Sequence, residues 1–88
     1  MAQIVRTGAP SVHRQQNRLS AIFTLSEEPD RVWIKCFRSR GTYTVFNVAN
    51  AVFSGNEIRV ELPREQDLEE VTKAVDRFIA GANLDAAG

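Results

Sequence analysis

Hydrophobic and polar positions alternate over residues 18–25. Leu19, Ala21, Phe23 and Leu25 fall on one side, and Ser20, Ile22 and Thr24 on the other. A period of two predicts a half-buried strand. Ser26-Glu27-Glu28-Pro29-Asp30 reads as a turn, with proline fixing one backbone angle and aspartate suited to local hydrogen bonding. Residues 31–37 alternate again, placing Val32, Ile34 and Cys36 on one face and Trp33, Lys35 and Phe37 on the other. The spacing predicts a second strand, paired with the first as a hairpin.

After Arg38-Ser39-Arg40-Gly41, a turn sequence, residues 42–46 are β-branched and aromatic and predict a third strand. Residues 47–53 read equally as an extension of that strand or as a helical turn. Ser54-Gly55-Asn56 is a turn signal. Residues 57–62 predict a fourth strand, with Ile58, Val60 and Leu62 inward and Arg59 and Glu61 outward. From residue 66 to 82 the period changes. Leu68, Val71, Val75, Phe78, Ile79 and Ala82 recur at three and four residues, the stripe of an amphipathic helix. Glu65, Asp67, Glu69 and Glu70 cluster where acids favour the helix dipole.

Residues 1–17 have no period, and Gly8-Ala9-Pro10 breaks any helix. The expected organisation is a flexible basic arm over 1–17, one α+β domain over 18–84 and a short tail over 85–88. The expected fold is a four-stranded antiparallel meander, β-β-β-β-α, with the C-terminal amphipathic helix packed on one face.

Composition narrows the class. The chain has 88 residues, 43% hydrophobic and 25% charged, in the ordinary range for one globular domain. Its apolar runs are too short to span a membrane. A single cysteine, Cys36, cannot form an internal disulfide, and a cytoplasmic location is the simplest expectation. Net charge is zero but uneven. Residues 1–40 carry seven bases against three acids, and residues 41–88 four bases against eight acids.

Catalytic groups are sparse. His13 is the lone histidine and falls in the expected arm, and Cys36 lies among aliphatic residues. No glycine-rich phosphate loop and no ligand set at zinc or calcium spacing is present. The expectation is a non-enzymatic protein without a cofactor. Alternation puts Ile22, Trp33 and Phe37 on the sheet face away from the helix, with Lys35 and Arg59 beside them and Arg38 and Arg40 in the adjoining turn. An apolar patch of that size calls for cover. The N-terminal arm could fold back over it, but the expected occupant is a protein partner, either a second copy in a homodimer or another chain. Single-stranded nucleic acid is the alternative, because aromatic rings beside cations can stack bases and hold phosphates.

Overall fold

A computed structural model describes residues 3–39 and 51–87 of the chain. Strands β1 (Arg6–Gln15) and β2 (Arg18–Leu25) form an antiparallel hairpin. Its two-residue connection is Gln16-Asn17, with Gln16 at φ 55°. A left-handed residue there matches the twist of the flanking strands. Helix α1 (Arg31–Ser39) follows. A second hairpin, β3 (Val52–Ser54) and β4 (Glu57–Leu62), turns through Gly55 at φ 58°. A 3₁₀ turn (Glu65–Asp67) then leads into α2 (Leu68–Ala87).

The fold is α+β, with a four-stranded antiparallel sheet and a C-terminal helix, as the alternation predicts. The expected meander is not found. Strand order is β1-β2-β4-β3, so the two hairpins meet through their second strands, in a register that includes Leu19 opposite Leu62, Ala21 opposite Val60 and Phe23 opposite Ile58. The physical reason is α1. Residues 31–37 are helical, which leaves the second edge of β2 free for β4.

Local chemistry explains that helix. The Asp30 side chain accepts the Trp33 backbone N–H at 2.8 Å, and the Asp30 carbonyl accepts the Ile34 N–H at 3.0 Å. Asp30 is thus an N-cap, and it satisfies donors that would otherwise be orphaned. Trp33 and Phe37, one helical turn apart, both point into the core.

The core lies between one sheet face and the two helices. Ala21, Phe23 and Leu25 of β2 and Ile58, Val60 and Leu62 of β4 are buried with Val71, Val75, Ile79 and Ala82 of α2. Trp33 and Phe37 complete the same cluster. Their rings stack with centroids 5.6 Å apart, while Phe53 and Phe78 each meet Phe37 edge-on at 5.2 Å.

The segment expected as an arm is largely β1, an edge strand. Gly8 at φ 68° and a register shift between Thr7 and Ser11 mark a bulge, and Pro10 sits beside it. Such interruptions are how edge strands avoid unwanted pairing. Arg6 ties β1 to α2 through Asp76 at 2.9 Å, and this hydrogen bond pushes the guanidinium pKa up. The expected strand at 42–46 lies outside the described residues. Of the ambiguous stretch 47–53, residues 47–50 also lie outside, while Val52 and Phe53 are strand. Helix α2 runs past the expected end at residue 82, through Asn83 to Ala87. No helix among the described residues is long and apolar enough to cross a membrane.

Candidate interaction surfaces

The register of the sheet defines its outer face. Strand β1 contributes Thr7, Ser11 and His13, opposite Thr24, Ile22 and Ser20 of β2. Those three in turn face Glu57, Arg59 and Glu61 of β4, and β3 adds Val52 and Ser54. Both helices belong to the core on the other side, so this face has no helical cover among the described residues. Ile22 is half-buried and Val52 is 59% exposed, with Arg59 between them in one cross-strand row. Ile22, Val52, Ser54, Glu57 and Arg59 line a shallow hollow of about 240 Å³.

Seven residues form the surface expected from the sequence, and the structure divides them. Ile22 and Arg59 are cross-strand partners on the open face. Trp33 and Phe37 are in the core, 4% and 0% exposed. Lys35 and Arg38 are exposed on α1. Arg40 lies outside the described residues. The expected aromatic-basic sheet face is therefore not assembled. The reason is again the helix, whose turn points Trp33 and Phe37 inward and Lys35 outward.

Arg38 sits in the last turn of α1. Its guanidinium donates to the Ala51 carbonyl at 3.4 Å and lies over the Phe53 ring, 5.7 Å from the centroid. Arg31, at the other end of α1, is exposed and was not among the expected surface residues. It becomes relevant only once 31–39 is helical, because Arg31, Lys35 and Arg38 then share a face at i, i+4 and i+7.

Asn83, inside α2, holds distant segments together. Its Oδ1 accepts the Ile4 backbone N–H at 3.1 Å and the Trp33 indole N–H at 2.9 Å, and its Nδ2 donates to the Ile4 carbonyl at 2.8 Å. One amide thus joins the N-terminal segment, α1 and α2. Beside it is a hollow of about 400 Å³, lined by Ile4, Val5, Ile79, Ala80 and Leu84 and bordered by the Arg6–Asp76 pair. No local signal marks Asn83, since its partners are 50 and 79 residues away in sequence.

The groups with chemical reactivity lie apart. His13 is exposed on the open face, and Cys36 is half-buried on α1 against the core. Neither lines either hollow. Among the described residues no three of His, Cys, Asp and Glu converge as a metal site. Compared with known proteins, the chain matches no family model, no curated protein and no solved structure.

Proposed function

We propose that this protein works by association and not by catalysis, pairing two copies through the open sheet face. One observation carries the reading. Among the described residues no helix covers the outer face of the four-stranded sheet, and Ile22 and Val52 flank Arg59 at its centre. The charges on that face suit self-pairing. Outward residues of β4 run Glu57, Arg59, Glu61, and Arg18 lies at the end of β2. Two acids and two arginines balance, and a two-fold contact can set the arginine of each copy against a glutamate of the other.

The expected strength follows from size. Four strands at about 4.8 Å spacing and about seven residues each at ~3.3 Å give a face on the order of 400 Å² per copy. Two copies together fall below the ~1,200 Å² of a standard stable interface. The predicted dimer is consequently weak and concentration-dependent.

The test is light scattering over a wide concentration series, with Ile22→Lys as the perturbation. Ile22 points away from the core, so the variant is expected to keep the wild-type melting temperature. Wild type should gain mass with concentration, and Ile22→Lys should stay monomeric. Monomer mass at every concentration, or equal self-association in both proteins, would sink the proposal. Nucleic acid as the occupant of this face finds less support, because the rings that would stack bases, Trp33 and Phe37, are buried. Of the cations of that alternative, Lys35 and Arg38 lie on α1, Arg59 stays on the sheet face and Arg40 lies outside the described residues.

A further inference from the structure

Helix α1 carries a row of bases on its exposed side, beside the exposed Val32. It contains Arg31, Lys35 and Arg38 and no acid. Steps of four and three residues keep the three within an arc of about 60°, along roughly 10 Å of helix axis. All three are exposed, while Trp33 and Phe37 anchor the opposite side in the core. Arg31 and Lys35 form no ion pair with any described residue. Arg38 is oriented by the Ala51 carbonyl and the Phe53 ring, an arrangement that reduces the entropy lost when it meets a ligand.

We infer that this side of α1 docks on the phosphate backbone of nucleic acid. A row of fixed cations is matched by a polymer of regularly spaced anions. One strand of duplex DNA carries a phosphate about every 3.4 Å of axis, so ~10 Å of helix meets about three of them. A lipid surface fits less well. A membrane-bound basic helix inserts its apolar side, and here that side is locked inside the protein. Glu27, Glu28 and Asp30 precede the helix and bound the basic row at its N-terminal end, with Asp30 committed to capping. Contacts of this kind are to backbone and carry no base specificity. The surface is distinct from the open sheet face, and its use does not depend on dimer formation.

The experiment is fluorescence anisotropy of a labelled 20-base-pair duplex titrated with the full chain at several salt concentrations. Three phosphate contacts predict a log–log salt slope of about −2.7, so a fourfold rise in salt weakens binding about 40-fold. Lys35→Ala should lower the slope by about one unit, leaving a loss of about 12-fold over the same salt change. Arg31→Ala should do the same. Both side chains are exposed, and unchanged melting temperatures would show that the fold is intact. The inference is overturned by three results: no binding at low salt, a slope indifferent to both substitutions, or binding to phosphatidylserine vesicles without binding to the duplex.

Discussion

Removing the Asn83 side chain tests how the three helical and terminal segments are held together. Asn83→Ala deletes three hydrogen bonds: two to the backbone of Ile4 and one from the Trp33 indole. Trp33 is only 4% exposed, so its N–H is left with little access to water. An unsatisfied buried donor costs about 1–3 kcal/mol, and each ordinary hydrogen bond lost adds on the order of 0.5–1.5. Ile4 lies nearer the surface end of the segment, where water can replace part of the loss. A total of about 3 kcal/mol is expected, against a stability of roughly 4–13 kcal/mol for a chain of this size. For a domain of this length that lowers the melting temperature by about 12–24 °C.

Urea and thermal melts followed by tryptophan emission are the right assay, because Trp33 is the single tryptophan. The midpoint should fall with the urea slope unchanged, since the surface exposed on unfolding is nearly the same. Asn83→Asp adds a control that keeps an acceptor for the Ile4 and Trp33 N–H groups and loses only the donor to the Ile4 carbonyl, so it should retain more of the native stability than Asn83→Ala. An Asn83→Ala protein within about 0.5 kcal/mol of wild type, with unaltered emission, would refute the clasp.

Two further substitutions separate a helix from a strand at residues 31–39. Asp30→Ala removes the N-cap and should cost about 0.5–2 kcal/mol with loss of far-ultraviolet helical signal, whereas a strand would be nearly indifferent. Phe37→Ala should cost about 3–5 kcal/mol by chemical denaturation, because it empties the contact among Trp33, Phe53 and Phe78. A loss under about 1 kcal/mol would place Phe37 on the surface instead.

The misread segment shows where a single sequence becomes ambiguous. Trp33 and Phe37 are four residues apart. Four is an even number, so alternation puts them on one face of a strand, and it is also close to one helical turn, so a helix does the same. Lys35 breaks the tie: a strand aligns it with the two rings, a helix opposes it to them, and the structure opposes it. The Pro29-Asp30 start was legible as a helix beginning, because aspartate is a preferred N-cap. The alternation over 31–37 outweighed it.

The candidate surface was legible only in part. Ile22 and Arg59 were assigned to the same face from alternation within β2 and β4, and they are direct cross-strand partners. Arg31 was missed because its relation to Lys35 and Arg38 exists only at helical spacing. Val52 was missed because 47–53 carried no single period. Strand β1 was missed for a different reason. As an edge strand it covers the core with little besides Val12, so burial imposes no alternation on its sequence.

By itself the sequence determined the elements whose burial repeats locally: β2, β4, the turn between β3 and β4, and the inward stripe of α2. Each has one face against the core, and a shift of one residue would turn its apolar set toward water. Tertiary structure decided what depends on distant partners. The pairing of β2 with β4 joins segments more than thirty residues apart. Helix 31–39 begins at its own Asp30 cap, but the side it buries is completed by distant residues, Phe53, Phe78 and Asn83. Periodicity records which side of an element is buried, but it does not record what it is buried against.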